Sequence, residues 1–152
     1  MTTPSREQLI TTALSFIAAY NQWTVQAIIA IRSPSCIHYT LPISLQVPPR
    51  SNAEYATFMD PMLAVFRGVH FSIISNDDTI VDVEARTVVL HCSNLADTDA
   101  GEYTNEYMFS LTMSEDGTKV DKIIEFIDAA YTVEFKRRIA LARASTEVVN
   151  EA

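Results

Sequence analysis

Residues 101–131 read GEYTNEYMFSLTMSEDGTKVDKIIEFIDAAY. From Glu102 to Ser114, polar and apolar residues alternate with the period of a β-strand. Glu115-Asp116-Gly117 is a tight hairpin turn. Val120 to Asp128 is the next strand, and Ala129 to Ala144 changes to helical spacing. Two strands joined so closely must pair antiparallel, and their apolar side then needs a cover. Within the second strand Glu125 stands among Ile123, Ile124, Phe126 and Ile127. Such a carboxylate either points to water from a half-buried strand or serves as a general acid or base inside.

Upstream, Val69 to Ser75 reads as a strand and Asn76-Asp77-Asp78 as a turn. Thr79 to Val83 adds a short strand piece. Arg86 to Ala96 is a long strand, followed by a polar turn from Asp97 to Gly101. The N-terminal half has the helical period instead. Thr3-Pro4 is read as a helix start, with Leu9, Ile10, Ala13, Leu14, Phe16, Ile17 and Tyr20 behind it. Asn21 or Thr24 caps a second short helix, which reaches Arg32 and is stopped by Pro34. Cys36 to Leu41 is a strand, and Pro42 to Arg50 a loop. Ser51 to Phe66 is the clearest helix, with an apolar stripe of Tyr55, Phe58, Met59, Met62, Leu63 and Phe66. Pro61 is expected to kink it. Three helices around one strand, then an antiparallel meander and a last helix, make an α+β fold. Helices on the concave side of a bent sheet enclose a cone-shaped cavity.

The chain has 152 residues, so one domain is expected over 1–152, with 1–4 and 145–152 frayed. A net charge of -8 argues against nucleic acid and anionic membranes as partners. No apolar run is long enough for a membrane span, and the N-terminus does not read as a signal peptide. Two cysteines, Cys36 and Cys92, form no metal signature or disulfide framework, which points to a reducing, cytoplasmic setting. No Gly-rich nucleotide motif and no metal-ligand spacing is present, so no metal or other cofactor is expected.

The order of elements resembles the NTF2-like, SnoaL-like cone fold. The segment 101–131 is similar to that superfamily's closing hairpin, in which a tyrosine-rich strand, a DG turn and an EF-x-D ending recur. RSPSCIH at 32–38 and RSNAEYATF at 50–58 narrow the resemblance to the small fungal isomerase-cyclases of meroterpenoid biosynthesis. The resemblance implies reorganisation of a polycyclic terpenoid's rings without a cofactor, commonly in a homodimer. It also implies acidic pocket residues at Glu54 and Glu125.

On residues 103–113 the odd positions are the more apolar, so Tyr103, Asn105 and Tyr107 are placed on the cavity wall. Glu54 sits in a Ser51-x-x-Glu54 capping box, a structural role that competes with a catalytic one. His38 lies on a strand and titrates near neutral pH. Arg32 either pairs with a pocket group or complements a helix C-terminus. The expected catalytic set is Glu54, His38 and Glu125. The expected substrate-binding set is Arg32, Tyr103, Asn105, Tyr107, His91 and Phe58. Asp128 is read as the cap of the last helix, and His70 as facing outward. The expected activity is isomerase or cyclase, by proton transfer next to a carbonyl. A dehydratase or epoxide or lactone hydrolase, using Asn105 or Asp97 to place water, is the nearest alternative. A non-catalytic ligand-binding or protein-interaction module is the rival of another class.

Overall fold

The structure is a computed structural model and describes residues 3–151, the last of them by its backbone alone. Helix α1 spans Arg6–Gln22 and is capped by Ser5, whose hydroxyl accepts from the Gln8 N–H at 3.1 Å. The cap therefore falls just after the expected Thr3-Pro4. Pro4 is buried instead, tucked against the hairpin turn at Gly117. Helix α2, Val25–Ala30, is capped by Thr24.

Strand β1 covers Arg32–Leu41, so it begins earlier than expected. Arg32 opens this strand rather than closing α2. Pro34 lies where the pairing of β1 shifts register, a place where a residue without an N–H is tolerated. Helix α3, Asn52–Val65, keeps the expected capping box, with Pro61 inside it.

The remaining elements are β2 (Arg67–Ile73), β3 (Ile80–Asp82), β4 (Thr87–Thr98), β5 (Gly101–Met113), β6 (Val120–Ile127) and α4 (Ala129–Glu151). They form a bent open sheet in the order β1-β6-β5-β4-β2, with β3 also on β4. The meander is antiparallel from β2 to β6. β1 departs from that pattern and runs parallel to β6. A parallel pair needs a long crossover; here it is the whole chain between these two strands.

The inner face of the sheet meets α1 in one core. Leu9, Phe16 and Tyr20 from the helix pack with Leu90, Phe109, Leu111 and Ile123 from the strands. Each such side chain, fully buried, contributes roughly 1.5–3 kcal/mol. On β5 the odd positions from Asn105 to Met113 are buried, as their apolar character demands.

Helix α4 starts from an Asp128 cap, whose Oδ1 accepts from the Tyr131 N–H at 3.1 Å. It does not stop at Ala144 with a frayed tail but continues to Glu151. No glycine or proline interrupts it, and the Ser145 and Thr146 hydroxyls bond back to the Leu141 and Ala142 carbonyls. Met1, Thr2 and Ala152 lie outside the described residues.

Candidate active site

The helices and the inner sheet face do not fill the space between them. A cavity of about 450 Å³ remains, with Leu45, Met59, Met62, Phe71 and Ile127 among its apolar lining. Its polar lining includes Glu125, Tyr20, Tyr55, Tyr103, Tyr107 and Asn94. A cavity of this size with a few convergent polar groups is the usual form of a small-molecule site.

Glu125 shares its face of β6 with the buried Ile123 and Ile127. Its Oε2 lies 2.6 Å from Nε2 of His38. In the parallel register Thr40 stands opposite Glu125 and His38 opposite Ile123, which brings the imidazole beside the carboxylate. The other imidazole nitrogen, Nδ1, is 3.2 Å from Nη2 of Arg32. A guanidinium only donates, so Nδ1 must carry the lone pair. The ring proton is then on Nε2 and is donated to Glu125. Burial holds His38 below its ordinary pKa and outweighs the pull of Glu125 in the other direction. His38 is therefore a neutral imidazole that orients the carboxylate. No hydrogen bond from the described residues reaches Oε1 of Glu125, which leaves that oxygen for a substrate proton.

Arg32 is buried, and its Nη2 also donates to the Tyr20 hydroxyl at 2.9 Å. The guanidinium carbon lies 3.9 Å from the centre of the Tyr55 ring, which also stacks on His38 with ring centres 4.5 Å apart. Its Nη1 has no partner. The Tyr20 and Tyr55 hydroxyl oxygens are 2.6 Å apart. Either oxygen can donate across this pair; with Tyr20 already accepting from Arg32, the arrangement in which Tyr20 donates to Tyr55 leaves the Tyr55 proton as the unpaired one, in the cavity that both residues line. The Tyr55 proton is then free for a cavity ligand. One arginine thus connects the Glu125 carboxylate, through His38, with the Tyr55 hydroxyl, through Tyr20.

Burial pushes the Tyr20 hydroxyl up to about 12. It raises Tyr55 and Tyr107 well above the ordinary value, and raises Tyr103 as well. All four hydroxyls keep their protons at neutral pH and act as donors.

No protein-family model matches the chain. Over 140 residues it is 34% identical to the austinoid biosynthesis clusters protein S of Penicillium brasilianum, across 92% of this chain and 96% of that relative. The BvnE pinacolase of Penicillium brevicompactum superposes with a TM-score of 0.88 at 35% identity, over 91% of this chain and 98% of that one. The chain belongs to the fungal meroterpenoid isomerase-cyclase family.

Its fold is NTF2-like, as the order of elements implied. A SnoaL-like polyketide cyclase from Shewanella denitrificans shares that fold alone, at 10% identity and a TM-score of 0.69 over 85% of this chain and 96% of that one.

In this isomerase-cyclase the expected site residues fall into three groups. Glu125, Tyr103, Tyr107 and Phe58 line the cavity. His38, Arg32 and Asn105 stand behind its wall; Asn105 donates to the Tyr103 hydroxyl at 2.9 Å and to Thr132 Oγ1 at 3.0 Å. Glu54 and His91 are elsewhere. Glu54 is exposed and bonded to the Ser51 N–H and hydroxyl, which hold it at the helix end, away from the cavity. His91 faces outward because the even positions of β4 are the buried ones. It lies between Asp78 and Glu106, at 2.8 and 2.5 Å.

Sequence reading passed over Tyr20, Tyr55 and Asn94. The two tyrosines counted as members of apolar helix stripes, and a hydroxyl in such a stripe was the available signal. Asn94 is buried beside the cavity with an unpartnered Oδ1. Among the described residues no group of His, Cys, Asp and Glu is placed to hold a metal ion.

Proposed function

We propose that this chain rearranges the rings of a polycyclic meroterpenoid by intramolecular proton transfer, without a cofactor. One observation carries the reading: Glu125 enters an apolar cavity with one oxygen held by His38 and the other free. The free oxygen takes a proton from a carbon next to a carbonyl. The C–H electron pair becomes a C=C bond, and charge moves to the carbonyl oxygen, where the Tyr55 hydroxyl donates to it. Glu125 then returns the proton to another carbon, giving an isomer. Alternatively the enolate attacks a nearby ester, and the expelled alkoxide takes the proton from Glu125. The unpartnered Asn94 Oδ1 would accept from a substrate hydroxyl and fix its orientation.

A hydrolase or dehydratase needs a further group to place water. Asn105 is used behind Tyr103, and Asp97 is exposed on β4, so neither expected group reaches the cavity. An unfilled cavity with an ionisable group in it favours an enzyme over an interaction module.

The test uses polycyclic intermediates of the austinoid-cluster relatives, incubated with the protein in deuterium oxide. The expected product is an isomer of unchanged formula, with deuterium on carbon only to the extent that the proton held by Glu125 exchanges with solvent before its return. Glu125→Gln should lower turnover at least about 100-fold, the usual size of acid–base loss. Full turnover by that variant refutes the assignment, and a product heavier by one water favours the hydrolase.

Our reading extends to a single-domain cytosolic homodimer. Buried free Cys36 and Cys92 support the reducing compartment. Phe126 and Met108, 50% and 39% exposed on the outer face of adjoining strands, support a covered face. Among the described residues, no helix is long and apolar enough to cross a membrane.

A further inference from the structure

The protein carries a net charge of -8. Its cavity has the opposite balance: one acid, Glu125, against three cations, Arg50, Lys136 and Arg143. Two of them come from a single face of α4. Lys136, Ile139, Ala140 and Arg143 all line the cavity, at the i, i+3, i+4, i+7 spacing of one helix side. Such a side facing the interior is ordinarily apolar; this one has a cation at each end.

The other cations of α4 are engaged. Arg137 pairs with Glu134, and Arg138 packs its guanidinium near the rings of Tyr131 and Phe135. Lys136 and Arg143 have no carboxylate within ion-pair distance among the described residues, and neither does Arg50. Arg50 instead lies 4.0 Å over the ring of Phe58, another lining residue. Lys136 and Arg143 are solvent-exposed and Arg50 half-buried, whereas Tyr20, Tyr55 and Tyr107 are buried. The cations therefore stand where the cavity opens.

We propose that these cations receive an anionic group of the substrate, so that the ligand is a polycyclic terpenoid acid and not a neutral ester. The inference rests on the reading of the cavity as a polycycle site. It also sets the substrate's direction: a carboxylate would be repelled by Glu125, so the acid end stays at the opening while the ring to be rearranged goes inward. Two cations with solvent access bind a carboxylate without the cost of burying it.

The chain's single tryptophan, Trp23, lines the same cavity and reports binding by its fluorescence. The probes are abietic acid, a tricyclic diterpenoid acid, and its methyl ester. At low salt and pH 7.5 the acid should bind about tenfold more tightly than the ester. That preference should shrink at high salt, because exposed charges are screened. Lys136→Met/Arg143→Met should bring the acid-to-ester ratio close to one. Equal binding of acid and ester by the natural protein, or a ratio unchanged in the double variant, overturns the anion proposal and leaves the polycycle site standing. Binding of neither probe refutes the polycycle site, and this inference with it.

Discussion

Tyr20→Phe tests the arginine-centred network most cleanly. The ring keeps its packing against Phe16, Phe71 and Phe109, so only the hydroxyl is lost. That hydroxyl makes two buried bonds, one of 2.6 Å to Tyr55 and one of 2.9 Å to the Arg32 guanidinium. A neutral hydrogen bond contributes about 1 kcal/mol net and one to a charged group about 1.5–3 kcal/mol. Phenylalanine pays no desolvation, which offsets part of the sum, so the expected loss is about 2–3 kcal/mol. With a urea slope of about 2 kcal/mol/M, the unfolding midpoint should fall by about 1–1.5 M. Tyr107→Phe is the control: its hydroxyl has one long bond of 3.3 Å, to Tyr103. That change should cost under about 1 kcal/mol. If the two variants lose equal stability, or Tyr20→Phe loses less than about 0.5 kcal/mol, the Arg32–Tyr20–Tyr55 chain is not the buried network described.

Further tests address other elements. Glu54→Ala should lower the melting temperature by removing half of a capping box, yet leave turnover unchanged; lost turnover would return Glu54 to the site. Because burial depresses the pKa of His38, the unfolded chain binds a proton that the native chain refuses once pH falls below the ordinary 6.5. Stability should therefore decline as pH falls from that value. His91, raised by Asp78 and Glu106, acts in the opposite sense. The decline should stand out in His91→Gln and vanish when His38→Gln is added, as read by urea midpoints between about pH 7 and 5.5. Gly117→Ala should destabilise by about 1–3 kcal/mol: its φ is +73°, and a Cβ there would stand 2.6 Å from the Pro4 ring. If the proposed homodimer covers the outer sheet face, the natural chain should sediment as a dimer and Phe126→Lys as a monomer; a natural monomer refutes the homodimer, and a dimer that persists in the variant places the interface elsewhere.

The meander, its turn and the last helix were legible because alternation and helical spacing are local signals. Asp128 as a cap, the inward parity of β5 and the outward His70 followed from the same local rules. Glu125 attracted notice because a charge interrupts an apolar run. What escaped is non-local. Nothing beside Arg32 indicates that it reaches both His38 and Tyr20, because that meeting depends on the pairing of β1 with β6. The same pairing made Arg32 part of a strand, although short-range signals read it as a helix end. For Glu54 two roles fitted one residue in the sequence; on the folded helix it is exposed and bonded in the capping box.

The partnership of β1 with β6 also bears on how the protein is made. His38 is synthesised early, but Glu125 follows 87 residues later. A ribosome-bound chain can settle its first helices long before both members of the pair have emerged. On the proposed assignment of Glu125 as the base, the site is complete only with the final strand, and a fragment truncated before it has a histidine with no carboxylate to orient.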